Sequence, residues 1–105
     1  MPAIHLVERI GNTWKVKSSK LEHEYESGYW AVAEVTAQKL IGGSIYLHDG
    51  QNDRSRFGGK ILGYRVHLEE SPERGRVIFR FQATGEHRGI QTPKEGWGNE
   101  KKIVW

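Results

Sequence analysis

Apolar and polar positions exchange every few residues along most of this chain, the pattern of many short strands joined by turns. Residues 4–9 alternate weakly and predict an opening strand. After Gly11 and Asn12, the run Thr13-Trp14-Lys15-Val16-Lys17 puts Trp14 and Val16 on one face and both lysines on the other, predicting a half-exposed second strand. Residues 21–27 are charged and predict irregular structure. At 44–48, Ile45 and Leu47 alternate with Ser44, Tyr46 and His48, so the pleat turns the hydroxyl, phenol and imidazole together away from the core. Residues 49–59 are polar and bounded by glycines, which predicts a surface loop. Over 60–69 a long strand is predicted, with Leu62, Tyr64, Val66 and Leu68 opposing Ile61, Arg65, His67 and Glu69. A turn at 71–75 joins it to a strand over 76–83, whose Val77, Phe79 and Phe81 face the core, and the two predict a hairpin. Residues 85–99 read as loop around Gly96-Trp97-Gly98, and 102–105 as a short last strand.

One stretch has a different period. Trp30, Ala33, Ala37 and Leu40/Ile41 recur at helical spacing, Ser27 is a residue that caps helices, and Gly42-Gly43 would stop one. This predicts a helix that packs Trp30, Ala33, Ala37 and Leu40 against the sheet, with Ala33→Asp destabilising. The β-branched Val32, Val35 and Thr36 leave a strand over 29–36 as the alternative.

At 105 residues there is room for one hydrophobic core, so a single domain is expected. The chain has no cysteine, which excludes a disulfide framework and thiolate metal sites. With neither a basic, apolar leader nor a run of about 20 apolar residues, a cytoplasmic protein without a membrane span is expected. Sixteen Lys and Arg against thirteen Asp and Glu give a net charge of +3, which favours polyanionic partners.

The glycine-led segment Gly42-Gly43-Ser44-Ile45-Tyr46-Leu47-His48 and the glycine-containing strand Gly59-Lys60-Ile61-Leu62-Gly63-Tyr64-Arg65-Val66 resemble elements of the PUA-like superfamily, in particular EVE, ASCH and YTH-type domains. The likeness is one of element order over residues 30–81, and Gly43 stands where that family commonly has Asp. The resemblance implies a mainly β, α+β fold: a small, mixed, partly open β-barrel with one principal helix. It also implies a pocket at the barrel mouth for a nucleobase, often a modified one, taken out of its stack. Aromatic walls for it would come from Trp30, Tyr46, Phe57 and Trp97, and polar or phosphate contacts from Ser44, His48, Arg54 and Arg65. Arg54 and Arg56 with Lys60 form a basic cluster suited to phosphate.

The structural counterparts of these readings are plain: Trp30 as core, the arginines as a solvated loop, the strand polars as exposed surface. No HExxH-type spacing supports a metal site, although His67 and Glu69 share a strand face and His48-Asp49 lie elsewhere, and no cofactor is expected. No nucleophile elbow or phosphate loop is present; Gly58-Gly59-Lys60 lacks the upstream glycine spacing. The function expected is non-catalytic binding of DNA, RNA or a nucleotide. The alternatives are a small ASCH-type hydrolase acting on a nucleoside or nucleotide, for which Thr36, Lys39 and Glu69 do not match the family's arrangement, and a protein-interaction module. Oligomeric state is left open.

Overall fold

In the computed structural model, residues 1–17 and 20–105 are described. Strands β1 (Ala3–Val7), β2 (Thr13–Lys15) and β3 (Glu24–Trp30) precede helix α1 (Glu34–Leu40). Strands β4 (Ser44–His48), β5 (Ser55–Val66), β6 (Val77–Ala83) and β7 (Lys101–Val104) follow it, with a 3₁₀ turn at Gly85–His87 between the last two. The seven strands form one mixed sheet in the order β2-β3-β6-β5-β4-β1-β7. Only β1 and β4 run parallel; the other ladders are antiparallel. A mainly β, α+β architecture is therefore as expected, but the sheet does not close into a barrel. Side chains cross the seam between its two ends: Lys101 Nζ of β7 donates to the carbonyl of Ala31 just after β3 at 2.7 Å, and the Thr13 hydroxyl of β2 donates to the Glu8 carboxylate just after β1, with no strand ladder between them among the described residues.

The core lies on one face of this curled sheet. Ile4 and Leu6, Ile45 and Leu47, Ile61, and Val77, Phe79 and Phe81 pack there with Trp30, and Ala37 and Leu40 of α1 join the same cluster. Val77, Phe79 and Phe81 are all fully buried, as their alternation implies. The long strand departs from its expected faces. Its pairing with β6 shifts register between Ile61 and Gly63, so Ile61 is buried before the irregularity and Tyr64 packs on the core after it. An extra residue in one strand reverses the inward set, which simple alternation does not anticipate.

Three expected segments are corrected. Residues 24–27 are strand: Glu24 and Ser27 are buried, Tyr25 packs on the core, and Glu26 lies in ladders with both β2 and β6. Pairing on both sides overrides the charged local composition. Residues 55–59 are also strand, Phe57 facing Leu47 across the β4–β5 ladder. The helix is shorter than the pattern suggested: Trp30 ends β3, and Ser27 hydrogen-bonds the Trp30 indole N–H at 3.1 Å instead of capping α1. Gly42 does end the helical segment, with φ of +87° that favours glycine.

Ala33 is the N-cap residue of α1, extended and exposed, with no side-chain hydrogen bond to the first turn. The expected destabilisation by Ala33→Asp therefore reverses sign. A carboxylate at this position can accept from the free amides of the first turn, so the variant should gain about 1 kcal/mol in urea unfolding. A loss of that size would show that the helix begins earlier.

Among the described residues, no helix is long and apolar enough to cross a membrane.

Candidate functional site

The open seam between the ends of the sheet forms a cleft of about 510 Å³. Leu6 and Trp30 form its apolar side, Tyr29 adds a second ring, and Arg76, Asn99, Glu100 and Lys101 supply polar groups. A recess of about 240 Å³ shares Tyr29, Trp30, Arg76 and Glu100 with it, so the two are continuous. Alternation would send Tyr29 and Trp30 to opposite faces; the register shift between Ser27 and Trp30 lets both rings reach the cleft. Trp30 is held by its indole bond to Ser27, and Tyr29 is braced between Trp14, at 6.0 Å between centroids, and His67, at 4.6 Å. Glu100 is paired with Arg9 at 3.3 Å. The Arg76 side chain is exposed and has no hydrogen bond or ion pair among the described residues.

Two of the other expected wall residues, Tyr46 and Trp97, lie on the opposite face of the sheet, whereas Phe57 packs on the core face. Tyr46 stacks on His5 of β1, with ring centroids 4.6 Å apart and planes 13° apart, and it meets His87 at 5.0 Å. His48 is fully buried, with Nε2 2.9 Å from His5 Nδ1 and Nδ1 2.8 Å from the carbonyl oxygen of Asp53. A carbonyl only accepts, so His48 donates from Nδ1; in the tautomer in which His5 donates from its own Nδ1, His48 Nε2 is the acceptor between the two rings. Trp97 covers this pair edge-on, 5.7 Å from His48 and 6.3 Å from His5. Its indole N–H is buried with no acceptor among the described residues. Burial, followed by the neighbouring His48 and Lys102, brings the His5 pKa down to about 4. Burial also lowers that of His87, against a smaller opposing effect of Glu86.

Ser44, Tyr46 and His48 thus share the face that alternation assigned them, with His5, His87 and Trp97 beside them, but Trp30, expected at the rim of one pocket with them, stands across the sheet, and His48 is sealed from solvent. Ser44 Oγ lies 3.0 Å from His87 Nε2, whose other nitrogen contacts Thr84 Oγ1. This is the connectivity of a base-assisted hydroxyl, but the Ser44 amide N–H is committed to the Pro2 carbonyl and cannot also serve a developing oxyanion.

The basic cluster is divided. Arg56 is paired with Glu8, a nearly buried carboxylate, and with Asp49 at 2.8 Å, while Arg54 donates to the Gly89 carbonyl at 3.0 Å. Lys60 is exposed on β5, opposite Ser44. Arg65 is bidentate on Glu26 at 3.0 and 3.2 Å. Burial pushes the Glu26 carboxyl up, but the bonds from Arg65 and Trp14 outweigh it and hold the group below its ordinary value. Phe57 packs edge-on against Tyr25 and Phe81 and carries the Arg88 guanidinium 5.3 Å from its centroid. His67 faces Tyr29 and Ser71, and among the described residues no three His, Asp or Glu side chains converge as metal ligands do.

Sequence reasoning missed Tyr29, Arg76, Asn99 and Lys101 at the cleft and His5 and His87 on the opposite face. The adjacent rings Tyr29-Trp30 were the one local signal; the rest are joined by strand order alone. The chain matches no protein-family model, no curated protein and no solved structure.

Proposed function

We propose that this chain is a non-catalytic nucleic-acid binding domain that holds an unstacked base in the cleft at the open seam of its sheet. The observation that carries this reading is the meeting of two aromatic rings, Tyr29 and Trp30, with the unpaired Arg76 in one recess of about 510 Å³. That volume lies within the roughly 300–1,000 Å³ of sites for small organic ligands. An aromatic floor accepts the face of a base, the Asn99 amide both donates to and accepts from its edge, and Arg76 meets a phosphate. On this reading the curled sheet with a helix and a cleft at its seam is a PUA-like fold, the base is flipped or modified, and the +3 net charge favours the approach of the strand.

Fluorescence anisotropy with labelled 12-nucleotide DNA and RNA pools tests it. Removing one base stack costs about 1–3 kcal/mol, so Tyr29→Ala should weaken binding roughly ten- to a hundredfold. Arg76→Glu, at an exposed position, should weaken it without altering the melting temperature. Binding by the parent should fall with salt. Unchanged affinity in both variants would remove the cleft from the account.

A further inference from the structure

Five residues back along β3 from Trp30, roughly 16 Å at the rise of a strand, the same sheet carries a second aromatic recess. This groove of about 320 Å³ is lined by His23, Tyr25, Phe57 and Arg88, with Ala83, Thr84 and Gly85 between them. Tyr25 meets Phe57 edge-on, centroids 4.9 Å apart at 84°, and Arg88 lies over the Phe57 ring. His23 has φ of +60°, a conformation uncommon for residues other than glycine, and its carbonyl accepts from the Ala83 amide at 2.8 Å. Its exposed side chain lines both this groove and an adjoining one of about 640 Å³ that includes Lys15 and Lys17. Lys15 stands directly opposite Tyr25 in the β2–β3 ladder.

Taken singly, these features describe an aromatic edge of the core beside solvated lysines. The combination sets them apart. Among the described residues Lys15, Lys17 and Arg88 make no ion pair, as holds for most of the chain's lysines and arginines, but here they adjoin the half-buried rings of Tyr25 and Phe57. Lys15, Lys17, Lys20 and Arg88 against the carboxylate of Glu22 leave the two grooves with an excess of positive charge beside ring surface, and the partner it complements is an anion that also carries aromatic rings.

We propose that this face is a second nucleic-acid site that takes a single-stranded segment. Its bases stack on Phe57, Tyr25 and the Arg88 guanidinium, and its phosphates lie along Lys15 and Lys17. The strand must be unpaired, because a duplex keeps its base faces inside the stack and offers only edges and phosphates. The site shares a polyanionic partner with the proposed function but does not require the Trp30 cleft to hold a base.

The experiment uses the whole chain, a fluorescent 12-nucleotide oligouridine, and the triple variant Lys15→Glu, Lys17→Glu, Arg88→Glu, all at exposed positions. Affinity should fall at least tenfold with an unchanged melting curve, and the salt slope should become shallower by about 2, at roughly 0.7 per single-strand phosphate. Photocrosslinking with 5-bromouridine, read at single-residue level, should mark Tyr25 or Phe57. The proposal is overturned if the triple variant binds within twofold of the parent, if crosslinks fall only at Tyr29 or Trp30, or if a duplex or a polyglutamate peptide binds as tightly as the oligouridine. Arg76→Glu in parallel separates the two readings. Weakening by that variant alone leaves the seam cleft and removes this site; weakening by the triple variant alone does the reverse.

Discussion

Gly59→Ala should cost this protein about 3 kcal/mol or more and lower its melting temperature by on the order of 10–20 °C. Gly59 lies inside the sheet on β5, paired with Ile45 on one side and Ala83 on the other. A Cβ at this position would stand 2.0 Å from the Gln82 carbonyl oxygen and 2.8 Å from the Ala83 Cα. Both obstacles are backbone of the neighbouring strand, so no side-chain rotation relieves the clash; β5 and β6 must separate, and the pairing of Phe79 and Phe81 in the core goes with them. Gly85→Ala is the control, because a Cβ there meets nothing within 4 Å. Thermal denaturation of both variants checks the argument. Equal melting temperatures would mean that the strands do not approach this closely at Gly59.

Acidification should destabilise the fold through His5. In the unfolded chain its pKa is near the ordinary 6.5, and in the folded state burial, His48 and Lys102 bring it to about 4. Below pH 6.5 the unfolded chain therefore binds a proton that the native state refuses. The stability contributed by neutral His5 is fully present above 6.5 and is lost as pH falls toward 4. Between pH 7 and pH 5 this one group should remove about 2 kcal/mol, with His87, also lowered by burial, adding in the same direction. Urea unfolding across that interval measures the slope in a range where ordinary carboxylates hardly titrate. His5→Asn keeps a donor for His48 Nε2 without a titrating ring and should flatten the slope; a variant as pH-sensitive as the parent would acquit His5.

How much of this was legible beforehand differs from element to element. Ser44–His48 alternates without interruption, so its bounds and both its faces follow from the pleat alone, and the hairpin of β5 and β6 follows from two apolar runs joined by a turn. Glu24–Ser27 was illegible because its polar residues are accommodated by ladders on both sides, by the Arg65 pair and by the Thr13–Ser27 hydroxyl contact, none of which is local. The faces of the long strand and the meeting of Tyr29 and Trp30 at one cleft turn on register shifts, which leave no periodic trace.

The residues of 44–48 carry their own instructions: apolar side chains at every second place commit Ile45 and Leu47 to the core and send Ser44, Tyr46 and His48 to the other side. The sequence alone also determined a chain without cysteine and with an excess of basic residues, and it pointed to a helix ended by glycine, whose start the fold moved from Trp30 to Glu34. What these residues meet was decided only in three dimensions. Parallel pairing of β1 with β4 sets His5 beside Tyr46, across 40 intervening residues, and the curl of the sheet brings Leu6, Trp30, Arg76 and Lys101 around one cleft. Contacts of that range depend on strand order and curvature, which short-range periodicity does not encode.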